Sequence, residues 1–192
     1  PMPIPADNPM TYEGVALGRM LFYENRLSKG EILNCNSCHF QEQAFSSAQE
    51  TNIDVNGEPV ARNVMALVNL GWSQKFSCDG RAVSLEEKIE GTLTNEFGMN
   101  ASDDVLIEQL GSDSMYVEAY FAAFGDSMPS LENTSKALAQ FLRTMISGNS
   151  RFDQWYKEYI KDTLAPENQP EVFFNSEELA GFYLYSIPQK VC

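Results

Sequence analysis

The chain has 192 residues, and its 27 Asp and Glu residues outnumber its 13 Lys and Arg residues, which gives a formal net charge of −14 at pH 7. This charge repels phosphate backbones and anionic lipid headgroups, so nucleic acids and membrane surfaces are excluded as the main partners. The hydrophobic fraction is 43%, and no run approaches the ~18 apolar residues of a membrane span. The composition therefore predicts a soluble globular protein and excludes a fibre or a disordered chain.

The first predicted element is a helix over residues 11–22. Thr11 is a suitable N-cap. The apolar face at helical spacing is formed by Val15, Gly18, Leu21 and Phe22. Glycine on that face costs ~1 kcal/mol of helix propensity, but it allows a second helix to approach closely. We therefore expect a core helix packed against the segment that follows it.

That following segment carries the strongest chemical signal in the chain. Cys35, Cys38 and His39 form the Cys-x-x-Cys-His pattern of covalent c-type haem attachment, and His39 is the single histidine. Two thiols about one helical turn apart add to the two vinyl groups of the haem, and the next residue presents its imidazole to the iron. The pattern predicts haem c held by both cysteines and ligated by His39.

Other uses of two close cysteines are less favoured. A zinc site needs four nitrogen or sulfur ligands, and the remaining cysteines, Cys78 and Cys192, show no second paired spacing. A thioredoxin-like redox pair would follow a strand, whereas residues 31–34 are short and mixed in character. A disulfide between Cys35 and Cys38 would leave His39 unexplained.

The rest of the chain is predicted to be helical, because no sustained period-two pattern of strands occurs. A polar loop is predicted over 46–61. Ser84 and Glu87 form a capping box at the start of one helix, and glycines end several others. Further helices are predicted over 62–70, 85–90, 102–111, 114–124, 131–147 and 177–185. The predicted fold class is all-α.

A polar stretch over residues 162–175, interrupted by Pro166 and Pro170, is the best candidate linker. It divides the chain into a haem domain over 1–165 and a linker with the first helix of a second domain over 166–192. The chain begins at Pro1 and stops at Cys192 directly after an apolar helical pattern. We expect both ends to be cut, so the lack of a leader says little about compartment.

Several further motifs accompany the haem pentapeptide. They are Leu17–Tyr23 with Arg26-Leu27-Ser28, Ala44-Phe45-Ser46, Gly57 with Arg62-Asn63, Asn69-Leu70, Asp79-Gly80-Arg81, Leu85-Glu86-Glu87, and Ser147–Ser150 with Phe152-Asp153. In combination they resemble the bacterial di-haem cytochrome c peroxidase family, which includes the maturase of methylamine dehydrogenase. The resemblance implies a cytochrome c-like haem domain with additional helices and long loops. Cys192 would then begin a second haem motif.

The resemblance also implies a function, a compartment and partners. A periplasmic member would reduce hydrogen peroxide at the haem on His39, with electrons from a small cytochrome c or cupredoxin arriving through a second haem. Asn63 aligns with a ligand of the calcium ion between the haem domains, although one asparagine is not a site and helix capping is the alternative. The implied cofactors are therefore two haem c groups, one of them in this segment, with Ca²⁺ as a candidate. A homodimer is compatible with the resemblance.

Three positions depart from the family pattern. Cys78 stands where a tryptophan usually lies between the haems, which puts transfer between them in doubt; we expect Cys78 to be a small buried hydrophobe. The family's catalytic glutamate aligns with Gly98 when the residues are counted without a gap. It aligns with Glu96 when a two-residue deletion is allowed. Glu96 is our candidate for carrying a proton between the peroxide oxygens, with a solvated loop carboxylate as the alternative. Lys88 stands where family members often have a glutamine. It adds a positive charge near the haem if its helix faces that group.

With no second histidine, the iron position opposite His39 is expected to be open or filled by water. Ligation by Met65 or Met99 is a less favoured alternative, since methionines at such positions usually pack. The leading hypothesis is a haem peroxidase. The alternatives are a maturase-type enzyme that oxidises a protein substrate at a distance, and a non-catalytic electron-transfer or sensor haem protein.

Overall fold

A computed structural model describes residues 1–186. Eight α-helices occur in that range: α1 (Tyr12–Phe22), α2 (Leu85–Leu93), α3 (Asp103–Leu110), α4 (Ser114–Phe124), α5 (Leu131–Arg143), α6 (Arg151–Tyr159), α7 (Pro170–Phe173) and α8 (Ser176–Ser186). Short 3-10 turns span Asn25–Leu27, Cys35–Ser37, Gln41–Gln43, Leu70–Trp72 and Pro166–Asn168. Strand pairing in the described residues is limited to three isolated bridges. The predicted all-α class is confirmed.

The chain divides into two compact units, one over residues 1–146 and one from Ser147 onward. The linker predicted over 162–175 lies inside the second unit, where it contains a 3-10 turn and α7. The division into a haem domain over 1–165 and the start of a second domain stays a prediction. Cys192, expected to begin a second haem motif, lies outside the described residues. Within those residues, no helix is long and apolar enough to cross a membrane.

The core of the first unit is built on the packing of α1 against α5. Thr11 caps α1, as predicted, and Leu17, Leu21 and Phe22 are buried. At Gly18, a Cβ atom would lie 2.0 Å from the carbonyl oxygen of Ala137 in α5. The predicted close approach is therefore real, and only glycine permits it.

A buried polar network joins the N-terminal segment to α2 and α5. Arg143 donates to both carboxylate oxygens of Glu86, at 2.7 and 3.1 Å. Asn8 donates to Glu86 and accepts from the amide nitrogen of Gln140 at 2.9 Å. Burial raises the pKa of Glu86, but hydrogen bonds from Arg143 and Asn8 outweigh it and hold the pKa below its usual value. The network thus fixes α2 against α5 with a paired charge in the interior.

Two helix predictions are wrong. Residues 62–70 form an irregular segment: Asn63 donates to the carbonyls of Gln49 and Glu50, and Asn69 has a left-handed φ of 62°. These interactions with a neighbouring loop override a short apolar pattern. The helix predicted to reach residue 147 ends at Arg143, because the chain turns there and the Met145 carbonyl accepts from the Asn69 amide.

Two other helices differ from the prediction. Helix α2 continues to Leu93, and Glu87 accepts from the Val83 amide instead of closing a capping box on Ser84. Helix α6 was not predicted, although Ser150 and Asp153 form a capping box at its start. Helices α3, α4 and α8 lie where the sequence places them.

Candidate haem site

Cys35 and Cys38 lie on one short 3-10 turn. Asn34 caps the turn, since its side chain accepts from the Ser37 amide at 2.9 Å while the Ser37 hydroxyl accepts from the Asn34 amide at 3.1 Å. The amides of Cys38 and His39 both donate to the Cys35 carbonyl, at 3.3 and 3.0 Å. Both thiols are free. The two cysteines are therefore separated by one turn, and the imidazole follows directly, as haem attachment requires.

The loop that leads into this turn is held by backbone hydrogen bonds. Ser28 is fully buried, and its hydroxyl accepts from the amides of Ile32 and Leu33. The side chain of Asn34 donates to the Tyr23 carbonyl at 3.2 Å, at the end of α1. These contacts attach the turn to the end of the core helix.

The orientation of His39 is set by a backbone carbonyl. His39 Nδ1 lies 2.9 Å from the Phe45 oxygen. Because a carbonyl only accepts, Nδ1 carries the proton and Nε2 keeps the lone pair for a metal. The bridge between Phe40 and Ser46 closes the loop, and Ala44 and Phe45 have φ values of 57° and 55°. Left-handed non-glycine residues cost of order 1–3 kcal/mol each, so this loop holds strain where it fixes the imidazole.

The electrostatics of the site disfavour a redox pair. Burial and the neighbouring Cys38 raise the pKa of Cys35 to about 12, and burial also raises the pKa of Cys38. A redox-active pair needs a thiolate, which raised pKa values oppose. Among residues 1–186, no group of three or more His, Cys, Asp and Glu side chains is placed to hold a metal ion. Burial lowers the pKa of His39, which favours the neutral, ligating imidazole.

Several apolar side chains that pack against the core of the first unit are only partly buried. They include Met20, Cys35, Phe45, Leu67, Leu70 and Phe141. Further along the same stretch, Met65 and Trp72 are 50% and 47% exposed. Covering apolar surface contributes roughly 25 cal/mol per Å². This surface and the donor set fit a porphyrin anchored at the turn.

Cys78 is exposed, so its prediction as a small buried hydrophobe is wrong. It lies on a tight loop closed by the bridge between Phe76 and Ala82, which are themselves buried. Because those two residues face the core, the tip of the loop turns outward. The Cys78 sulfur lies 3.1 Å from Nη1 of Arg62.

Positively charged side chains lie close to this loop. Asp79 accepts from Arg62 and Arg81, each at 2.8 Å. The charge of Lys88 contributes to lowering the pKa of His39, after burial, so α2 does direct charge toward the site. Burial, with a contribution from Arg81, lowers the pKa of Lys88 itself. In a chain of net charge −14, three cations thus lie close to the one carboxylate of Asp79.

Glu96 lies on the exposed loop after α2. Its carbonyl accepts from the Asn56 side chain at 3.1 Å, and within the described residues its carboxylate has no hydrogen bond or ion pair to His39. At Gly98, a Cβ would lie 2.7 Å from the Thr92 carbonyl, so a glutamate would not fit there without a backbone shift. The catalytic role of Glu96 stays a prediction.

The other candidate ligands are placed as follows. Asn63 is exposed and donates its amide hydrogens to two carbonyls, which leaves Oδ1 as the atom for a cation. A calcium role needs further oxygen ligands and stays a prediction. Met99 is 6% exposed within the hydrophobic core, whereas Met65 is half exposed.

Comparison with known proteins identifies the family. The model of the family described as di-haem cytochrome c peroxidase matches residues 12–161. The chain belongs to the di-haem cytochrome c peroxidase family. Membership agrees with the haem turn and implies haem c as the cofactor.

Relatives within this family include methylamine utilization protein MauG of Methylorubrum extorquens, 36% identical over 155 residues, which cover 80% of this chain and 44% of that protein. Cytochrome c551 peroxidase of Nitrosomonas europaea is 29% identical over 95% of this chain and 52% of its own. A solved MauG-like protein associated with microbial copper homeostasis has a TM-score of 0.80 at 30% identity, covering 97% of this chain and 52% of its own. The cytochrome c-like fold is thus confirmed, and the chain spans about half the length of these relatives.

Proposed function

We propose that this chain is the haem-binding half of a peroxidase that reduces hydrogen peroxide to water at a haem c on His39. The observation that carries the proposal is the single turn that presents Cys35 and Cys38, followed by an imidazole whose Nδ1 is held by the Phe45 carbonyl. Membership of a family whose relatives include cytochrome c551 peroxidases supports it.

The haem, when bound, supplies an iron centre that binds peroxide and exchanges electrons. Cys35 and Cys38 would hold the group covalently. His39 would ligate it through Nε2, and the hydrogen bond to Phe45 fixes the ring and would strengthen the ligand. Arg62 and Arg81, which pair with Asp79, would be available to the propionates.

Converting one peroxide molecule to two waters consumes two electrons and two protons. Glu96 would carry a proton from one peroxide oxygen to the other as the bond between them breaks. A small cytochrome c or cupredoxin would supply the electrons through a second haem, and the net charge of −14 favours a basic donor. Thioether attachment and this donor class support a periplasmic location. Asn63 would contribute one ligand to a calcium ion.

The first test is spectroscopic. The protein produced with c-type haem maturation should carry covalent haem and show a high-spin ferric EPR signal that changes on addition of peroxide. Replacing both cysteines, Cys35→Ala with Cys38→Ala, should abolish covalent haem, whereas the control Cys78→Ala should retain it. A low-spin signal unchanged by peroxide would contradict the proposal and favour an electron-transfer or sensor protein.

The second test addresses the proton carrier. Glu96→Gln in the complete protein should lower peroxide turnover by ~10²–10⁴-fold while leaving the ferric spectrum unchanged. Glu90→Gln, an exposed carboxylate of α2, is the matched control and should leave turnover unchanged. Equal turnover in Glu96→Gln and the wild type would remove Glu96 from the mechanism.

A second candidate function is oxidation of a protein substrate at a distance. The similarity to MauG over 80% of the chain, and to the MauG-like structure over 97% of it, favours this alternative. Cys78 at the position of the bridging tryptophan counts against it. A radical on a partner protein after peroxide addition would support it, and its absence would leave the peroxidase.

A further inference from the structure

The second unit is organised around one tryptophan. Trp155 of α6 is 4% exposed, and the centroids of five rings lie 5.0–6.1 Å from the centroid of its own ring. The aromatic cluster consists of Trp155, Phe152, Tyr156, Tyr159, Phe174, Phe182 and Tyr183. Packing alone accounts for the buried part of such a cluster.

Two polar contacts of the aromatic cluster go beyond packing. The hydroxyl of Tyr183, which is 45% exposed, donates to Oε1 of Glu171 at 2.6 Å. The indole nitrogen of Trp155 donates to the Asn168 carbonyl at 3.0 Å. The shared hydrogen bond raises the pKa of Tyr183 and lowers that of Glu171. At neutral pH, a protonated phenol therefore faces an ionised carboxylate.

This phenol and the indole are linked through one ring. Phe182 lies edge-on to Trp155 at 5.1 Å between centroids, and Tyr183 lies edge-on to Phe182 at 5.6 Å. Tryptophan and tyrosine are among the side chains that give up a single electron most readily, and tyrosine releases its proton as it does so. A base in hydrogen-bond contact therefore decides which tyrosine is oxidised. In the described residues, the hydroxyls of Tyr156 and Tyr159 have no such partner.

We propose that the aromatic cluster carries an oxidising equivalent from Trp155 to the surface at Tyr183. A one-electron oxidant takes an electron from the indole, Tyr183 returns an electron to it, and the phenolic proton passes to Glu171. The products are the reduced oxidant, neutral Trp155, a Tyr183 phenoxyl radical and a protonated Glu171, so electrons and protons balance. A one-electron organic reductant in solution, such as ascorbate, then gives an electron to the radical while Glu171 returns the proton, which restores the exposed phenol.

The source of the oxidant and the transfer within the cluster are separate matters. The first step, removal of an electron from Trp155 by the oxidised haem, rests on the proposed function. The second step, electron transfer from Tyr183 to Trp155, is independent of the proposed function, because any one-electron oxidant of tryptophan would start it.

The test uses EPR of freeze-quenched, haem-loaded protein with two oxidants. One is hydrogen peroxide, and the other is the radiolytic azide radical, which oxidises tryptophan without help from the haem. Both are applied to protein that carries Trp72→Phe, because Trp72 is 47% exposed and Trp155 is the other of the two tryptophans. Both should give a tyrosyl radical, identified by ring-deuterated tyrosine. Tyr183→Phe should remove this signal and leave a tryptophanyl radical. Glu171→Gln should slow its appearance by ~10²-fold, as loss of a positioned proton acceptor does.

The matched control is Tyr12→Phe, since Tyr12 is a tyrosine of α1 that is 86% exposed. It should leave the signal unchanged. A tyrosyl radical that survives in Tyr183→Phe, at Tyr156, Tyr159 or elsewhere, would overturn the proposal. A Tyr183 radical in the azide arm alone would keep the relay and remove the haem as its oxidant, so failure of the proposed function is distinguishable. Tyr183 and Glu171 are exposed, and thermal unfolding would verify that both variants are folded.

Discussion

The helical frame of the first unit, formed by α1, α2 and α5, is held in place differently from the site region over residues 28–83. The frame interlocks through buried side chains, through Gly18 against the Ala137 carbonyl, and through the paired charges of Arg143 and Glu86. The site region has no α-helix in the structure. Its turns depend on backbone hydrogen bonds and left-handed residues such as Phe45.

This difference predicts which part of the first unit depends on the cofactor for its stability. The frame pairs its buried charge within itself, Arg143 with Glu86, so its stability is expected to be independent of the cofactor. The site region leaves apolar side chains such as Met65 and Trp72 half exposed, and a haem attached at the turn would cover surface of this kind. We therefore expect the stability of the site region, but not that of the frame, to depend on haem.

The largest expected effect breaks the frame. Arg143→Met leaves the half-buried Glu86 carboxylate without its partner, so the free energy of unfolding should fall by about 3–5 kcal/mol in both haem-free and haem-loaded protein. Denaturant unfolding measures this. Lys136→Met in the same helix is the control. Lys136 forms a salt bridge with Glu132, whose carboxylate is exposed, so loss of this salt bridge should cost at most about 0.5 kcal/mol. Equal losses in the two variants would show that the network is not a stabilising feature.

A smaller effect concerns the turn after α1, where Glu24 accepts from Arg26 and from Tyr116 of α4. Partial burial raises the pKa of Glu24, but hydrogen bonds from Arg26 and Tyr116 outweigh this and lower it to about 2 from the model-compound value of 4.5. Because the folded-state pKa lies below the unfolded value, the stabilisation is complete above pH 4.5 and is lost as the pH falls toward 2. We expect about 2 kcal/mol of acid-sensitive stability from this group.

Unfolding measured between pH 7 and pH 2 checks this expectation. Glu24→Gln should flatten that part of the profile, whereas Glu118→Gln, an exposed carboxylate of α4, should not. If both variants follow the wild-type profile, the acid sensitivity belongs to other carboxylates.

Sequence patterns predicted several helices of the first unit well, because their signals are local. The cap at Thr11 and the apolar spacing of α1 and α4 require no knowledge of tertiary contacts. The haem turn was also predicted, since Cys35, Cys38 and His39 are adjacent in the chain. Helix α6 also has local signals, namely the capping box at Ser150 and the spacing of its aromatic residues, but it was not predicted.

The parts of the site that were not predicted depend on tertiary geometry. The partner of His39 is a backbone carbonyl, and no side-chain type marks Phe45 as its source. Cys78 faces outward because Phe76 and Ala82 pair across its loop, a contact between residues six apart that carries no periodic signal. The position of the Glu96 carboxylate depends on an irregular loop in the same way.

The smallest expected effect sharpens the comparison within the site region. Asn34→Ala removes the cap of the haem turn and the hydrogen bonds to Tyr23 and Asn25, which costs about 1 kcal/mol of local stability. In haem-free protein, the amides of Ser37 and Cys38 should then exchange with solvent about fivefold faster. In haem-loaded protein, this difference should vanish, because two thioether bonds hold the turn closed.

The matched variant is Ser130→Ala, which removes the cap of α5, where the serine accepts from the Asn133 amide at 3.1 Å. Its effect should appear at the start of α5 and be equal with and without haem, because the frame does not use the cofactor. Faster exchange at the haem turn of the loaded Asn34→Ala protein would contradict this division. The turn would then depend on its own hydrogen bonds as α5 does, and the site region would be as self-sufficient as the frame.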